Sequence, residues 1–234
     1  MMGRIDCEEA AGLLEEDVVA ITHDLKSPLA VIALEVECLD GKLGEQTVCE
    51  QRRALRRIQR NVESMDRLVH ELLDLSRMDS ARLEVVPALS DLRDILADTV
   101  DRMLATSDHS TVRIESNGPA FVLVDVPRIE RVIANLVGNA LKYAPDHPVI
   151  VRLECDGGVA RVSVIDGGPG LTPDEMRSLF VKHHRCRGAS RLDGSGLGLY
   201  VSRKIVEAHG GLIGVESGDG GGSRFYFELP LHRR

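Results

Sequence analysis

The sequence predicts two domains of different class. The first is an α-helical hairpin that forms a dimeric four-helix bundle, and the second is an α/β sandwich with a mixed sheet and helices on one face. Three observations lead there. Residues 9 to 79 read as two long helices, the second with apolar side chains at alternating spacings of three and four, the period of an amphipathic helix. After Pro87 the pattern changes to short β-rich runs with helices between them. Glycine is concentrated in the second half, next to those runs. The domains are placed at residues 1–80 and 81–234 of the 234-residue chain.

The first helix carries Leu13, Leu14, Val18, Ile21, Leu25, Leu29, Ile32 and Leu39, and the stretch from Asp40 to Gly44 supplies a turn. The second helix repeats Leu55, Ile58, Val62, Met65, Val69 and Leu72, with Arg52, Arg53, Arg56, Arg57 and Arg60 on its solvated face. Two antiparallel helices cannot bury stripes this wide by themselves. A second copy of the chain would cover them in a four-helix bundle; packing on the other half of the same chain is the alternative. Pro28 lies inside the first helix, five residues after His23. Its missing N–H removes the bond to the carbonyl of Asp24, which predicts a loosened or bent helix and a hinge at that point.

In the second domain Ser90 to Met103 reads as a helix capped by Ser90. The runs TVRIES, FVLVD, VIVRLE, VARVSVID and RFYFELP read as strands, with helices at 127–143 and 196–209. Asp156-Gly157-Gly158 is a hairpin turn, and hairpin-linked strands argue against a doubly wound parallel sheet. No internal repeat is visible.

Composition narrows the function. A net charge of −8 argues against nucleic-acid and anionic-membrane partners. The longest clearly apolar run, Leu29 to Leu34, is far shorter than the ~20 residues of a membrane span. Acidic residues follow Met1-Met2-Gly3 almost at once, unlike a secretory signal. The five cysteines are odd in number and never spaced C-x-x-C, which suits reduced thiols and a cytoplasmic location.

Three stretches carry chemistry. DGGPG at 166–170 follows a strand, and GSGLGL at 194–199 opens a helix. Glycines let backbone N–H groups approach an anion, and a helix N-terminus adds partial positive charge. Either stretch alone reads equally well as a turn. The polar loop before GSGLG argues against a dinucleotide fold, and no G-x-x-x-x-G-K-[ST] is present. NLVGNALKYAP at 135–145 puts Asn135 and Asn139 on one helical face, with Lys142 one turn on. Amide oxygens can hold Mg2+ and a lysine can offset phosphate charge, although a solvated polar face has the same pattern.

Taken in order, HDLKSPL, NLVGNALKYAP, DGGPGL, GSGLGLYVSRKIVEAHGG and GGSRFYF resemble the sensor histidine kinases of two-component systems. The resemblance runs from about residue 15 to the end. It implies a dimerisation and phosphoacceptor domain, followed by an ATP-binding domain of the fold shared with gyrase, Hsp90 and MutL. His23 matches the phosphorylated histidine and Asp24 the acidic neighbour that orients or deprotonates it. Asn139 matches the Mg2+ ligand and Asn135 a position near the phosphates. Lys142 would contact phosphate, and Tyr143 would pack near the nucleotide. Asp166 matches the acceptor for the adenine amino group, with Gly168 and Gly170 letting the backbone approach the base. Gly194, Gly196 and Gly198 match the glycines that end a mobile lid covering roughly residues 171 to 195. Arg185 falls where a basic lid residue approaches the γ-phosphate.

The resemblance implies ATP and Mg2+ as ligands, a homodimer, a response-regulator receiver domain as partner and, with only 22 residues before His23, either a fragment or an upstream sensor protein. Hydrolytic relatives of the fold carry a glutamate four residues before the first asparagine. Arg131 stands there and cannot deprotonate water, which favours transfer to His23 over hydrolysis. Glu130 is adjacent but lies about 100° round the helix. His183 replaces a usual aromatic in LFVKHHR. Ser27 stands where phosphatase-competent members have Thr or Asn. A nucleotide-binding scaffold without kinase activity and a phosphatase-dominant regulator are the alternatives.

Overall fold

The computed structural model describes residues 25–39, 47, 50–59, 61–62, 65, 69, 85–105, 112–182, 196–217 and 221–232. The chain divides between residues 81 and 82 into two compact units.

In the first unit, residues 25–39 form α1, which continues helical through a buried Pro28. The expected bend rests on Asp24, which lies outside the described residues, as does the turn from Asp40 to Gly44. Residues 50–59 and 61–62 belong to α2, with helical positions again at 65 and 69. A reciprocal cap starts α2. The Glu50 N–H donates to Thr47 Oγ1 at 3.3 Å, and the Thr47 N–H donates to Glu50 Oε2 at 2.8 Å. Arg57 reaches Glu35 of α1 at 2.9 Å. The apolar stripes are not closed within this unit: Leu29, Leu34, Leu55 and Val62 are each more than half exposed.

The second unit begins with β1 (Ala88–Asp91), α3 (Leu92–Ala105), β2 (Val112–Ser116), β3 (Phe121–Val124), α4 (Val126–Tyr143), β4 (Val149–Asp156) and β5 (Val159–Asp166). It ends with α5 (Pro173–Ser178), α6 (Gly198–Ala208), β6 (Leu212–Ser217) and β7 (Ser223–Pro230). Five strands form a mixed sheet in the order β2-β4-β5-β7-β6. Only β2 and β4 run parallel, and the other neighbours are antiparallel. The pair β1–β3 is a separate antiparallel ribbon.

Alternation decides which face is buried. Val149, Val151 and Leu153 of β4, Ala160, Val162 and Val164 of β5, and Phe225, Phe227 and Leu229 of β7 all point inward and are buried. The intervening residues form a charged outer lattice, in which Arg152 pairs with Glu115 at 3.0 Å and Arg224 with Glu154 at 3.4 Å. Helix α4 packs between α3 and α6 and lies on β4 and β5. It buries Ile129, Val132, Ile133, Leu136, Val137 and Ala140, a stripe at helical period. The β4–β5 turn is the expected one: Gly157 and Gly158 have φ of +57° and +89°, the conformation a two-residue hairpin loop needs.

One expectation is corrected. Ser90 does not cap α3, because it pairs with Val122 in the ribbon. Asp91 stands in front of the helix instead, its Oδ1 accepting from the Arg93 N–H at 3.0 Å and the Ala120 N–H at 2.9 Å. Thr172 and Glu175 make a capping box that starts the short helix α5.

Candidate functional site

Helix α4 is fixed at its start by Asp125, whose Oδ1 accepts from the Arg128 N–H at 3.4 Å. The Asp125 N–H donates to His209 Nε2 at 3.0 Å, while His209 Nδ1 lies 2.7 Å from the Ile205 carbonyl oxygen. With Nε2 accepting, Nδ1 carries the proton and donates to that carbonyl. The ring is therefore neutral and joins the end of α6 to the start of α4.

Asn135, Asn139 and Lys142 border one flank of the buried stripe, and each is half-buried. Asn135 Nδ2 donates to Ser202 Oγ of α6 at 3.0 Å. Its amide also lies against Gly198, the first residue of α6: a Cβ there would sit 2.5 Å from Asn135 Oδ1. The residue before α6, Leu197, is apolar and offers no side-chain cap. Gly196 enters the helix with φ of +68°. The Lys142 ammonium lies 5.2 Å from the centre of the Tyr143 ring, and that ring is 41% exposed. Arg131 is half-buried. The neighbouring carboxylate, Glu130, pairs with Arg102 at 2.7 Å.

Asp166 ends β5 opposite Ser223 and is only 8% exposed. Burial pushes its carboxyl above the ordinary range; hydrogen bonds from the Gly168 and Ser223 N–H groups and the nearby His147 pull it back. The Gly168 bond is 2.9 Å long. Gly168 has no room for a side chain, since a Cβ would lie 2.9 Å from Asp166 Oδ1 and 3.4 Å from both the Ala144 Cβ and the Tyr143 carbonyl. The end of α4 therefore adjoins the Asp166 loop.

Gly170 has φ of +78° and faces Ser217 and Gly222. The Ser217 hydroxyl accepts from the Leu171 N–H at 2.9 Å and donates to the Gly222 carbonyl at 2.8 Å. The Gly222 N–H donates to the Gly168 carbonyl at 2.7 Å. Ser217, Ser202, His147 and His209 are site neighbours that sequence reasoning did not single out. Ser202, His209 and Gly222 lie within the quoted motifs, but a lone serine or histidine carries no spacing signal.

The sequence-predicted residues thus gather in two clusters along α4. Asn135 and Gly198 form one; Tyr143, Asp166, Gly168 and Gly170 form the other. From Asn135 to Tyr143 the helix rises about 12 Å. His23, Asp24, Arg185 and Gly194 lie outside the described residues. Among the described residues no three His, Cys, Asp or Glu side chains cluster as a metal site, and no helix is long and apolar enough to cross a membrane.

A buried carboxylate in a glycine loop, alongside an asparagine-bearing helix, is the arrangement the motif order anticipates. Residues 124–233 match the family of histidine kinase-, DNA gyrase B- and HSP90-like ATPases, and residues 18–81 match the His Kinase A phospho-acceptor domain. The chain belongs to the sensor histidine kinase family. Among similar sensor kinases, the adaptive-response sensory kinase SasA of Synechocystis sp. is 31% identical over 94% of this chain and 60% of its own length. The sensor protein KdpD of Escherichia coli is 33% identical over 91% of this chain and 24% of its own. This histidine kinase chain thus spans about three fifths of the first relative and a quarter of the second. The solved structure of a mycobacterial sensor histidine kinase, MprB, is 28% identical, with a TM-score of 0.55 over 64% of this chain and all of that one.

Proposed function

We propose that the chain is an ATP-dependent protein-histidine kinase, with residues 1–80 as a dimerising phosphoacceptor domain and residues 81–234 as its ATP-binding domain. Attack by His23 Nε2 on the γ-phosphorus forms the P–N bond as the bond to the ADP oxygen breaks. Asp24 holds the Nδ1 proton and so keeps the lone pair of Nε2 aimed outward. The phosphoryl group then passes to an aspartate of a response-regulator receiver domain.

Asp166 accepts from the adenine amino group, and Gly168 and Gly170 let the backbone close on the base. Tyr143 flanks the nucleotide. Lys142 would contact the phosphates, Arg185 would approach the γ-phosphate, and Gly194, Gly196 and Gly198 would end the lid over them. The described residues offer no carboxylate cage, which suits Mg2+ carried on the triphosphate, where it keeps its waters and phosphate oxygens. Asn139 would add an amide oxygen, and Asn135 lies toward the same end. Mg2+ would supply charge neutralisation there. With Arg131 in place of a base and Glu130 engaged by Arg102, no carboxylate at those two positions is available to activate water.

The observation that carries this reading is the joint match to a phospho-acceptor domain over residues 18–81 and an ATPase domain over residues 124–233 in one chain. The test is labelling with γ-labelled ATP. Acid-labile, base-stable label is expected on the wild type and not on His23→Gln, with transfer onward to a receiver domain. Equal label on His23→Gln overturns the assignment.

A further inference from the structure

We propose that Ser202 is a positioning residue: its hydroxyl holds the Asn135 side chain in the orientation the nucleotide site uses. The proposal rests on the reading that Asn135 serves the phosphate end of that site. Ser202 is 2% exposed and shares the buried face of α6 with Val201, Ile205 and Val206. A hydroxyl on such a face is costly unless hydrogen-bonded, and the bond it receives comes from Asn135 Nδ2 at 3.0 Å.

Gly198 lies four residues earlier, on the same side of α6. A Cβ at Gly198 would lie 2.5 Å from Asn135 Oδ1, 3.1 Å from its Cγ and 3.2 Å from Nδ2. The amide is therefore held flat between a missing side chain and a hydroxyl. An asparagine amide otherwise turns broadly about its last torsion. Here the Nδ2 end is committed to Ser202, and Oδ1 is left beside Gly198 in the first turn of α6. One asparagine thereby joins α4 to the helix opened by the glycine motif, and Ser202 sets which end of its amide faces outward.

A double-mutant cycle on the full chain tests this, with autophosphorylation followed as kcat and KM for Mg-ATP and folding checked by thermal melting. Ser202→Ala is expected to lower kcat about tenfold, the worth of one ordinary hydrogen bond, while Asn135→Ala lowers it at least as much. In the Asn135→Ala background, Ser202→Ala should have no further effect, because its action runs through that amide. Wild-type kinetics in Ser202→Ala beside an impaired Asn135→Ala overturn the positioning role alone. So do losses that simply add. An unimpaired Asn135→Ala overturns both this proposal and the reading of Asn135 on which it rests.

Discussion

Asp166 sits between two opposed demands. Burial pushes its carboxyl up from the ordinary range, while two backbone N–H groups and His147 favour the ionised form, and burial has the larger effect. An amino group on a bound base would add a third donor and favour ionisation further. The native state consequently binds the Asp166 proton more tightly than the unfolded chain does. Stability linked to this group is present below the ordinary carboxylate pKa and is lost as pH rises through the raised native value. Asp166→Asn does not titrate. Its melting temperature should therefore gain on the wild type as pH is raised from about 4 to about 7, and a gap moving the other way would contradict the assignment. The same substitution should weaken ATP binding roughly ten- to hundredfold, the worth of a hydrogen bond to a charged acceptor, measured by titration at neutral pH. Gly167 next to it is glycine for a packing reason: a Cβ there would lie 2.8 Å from the His147 ring.

At the scale of elements, the site depends on joints between segments remote in sequence. Ser217 ties the loop after β5 to the β6–β7 turn through two hydrogen bonds, and His209 ties α6 to α4. Ser217→Ala should cost about 1–3 kcal/mol in denaturant unfolding and speed hydrogen exchange at the Leu171 amide. Unchanged exchange there would show that the joint carries no load. These joints mark where the sequence stops being legible. VIVRLECD, VARVSVID and RFYFELP could be read because alternation names the buried face, and α4 because its stripe keeps helical period. At the start of α3, two adjacent cap-forming residues, Ser90 and Asp91, compete. The choice is made by the Ala120 N–H, 29 residues away, which no local pattern reveals. The side-chain pattern of β6 is broken at Gly214, where the cross-strand Tyr226 ring occupies the space of a side chain. The glycine hides a strand whose support comes from its neighbour. Thr172-Pro173-Asp174-Glu175, in contrast, carries a legible capping box. The Asn, Asp and Gly positions proposed for the site come from motif order, whereas Ser202, Ser217 and His147 enter by contact alone.

At the scale of the molecule, the first unit poses the remaining physical problem. Leu29 and Leu34 on α1 and Leu55 and Val62 on α2 stay more than half exposed, and side chains of this kind grouped on two helices mark an interaction face. The proposed occupant is the same face of a second copy, since a two-fold axis makes one stripe self-complementary. Symmetry also doubles every effect. Each residue appears twice, and burying one such side chain is worth about 1.5–3 kcal/mol. With Val62 already about half-buried in one chain, Val62→Asp should weaken dimerisation roughly ten- to a hundredfold, before the cost of burying the carboxylate is added. Sedimentation at micromolar concentration should show a dimer for the wild type and a monomer for Val62→Asp. Autophosphorylation of the variant should fall with the dimer. ATP affinity should hold, because the second unit has its own core of Leu96, Ile133, Leu136 and Phe227. A wild type that sediments as a monomer, or a Val62→Asp chain that stays dimeric, would mean that the stripe is covered in some other way.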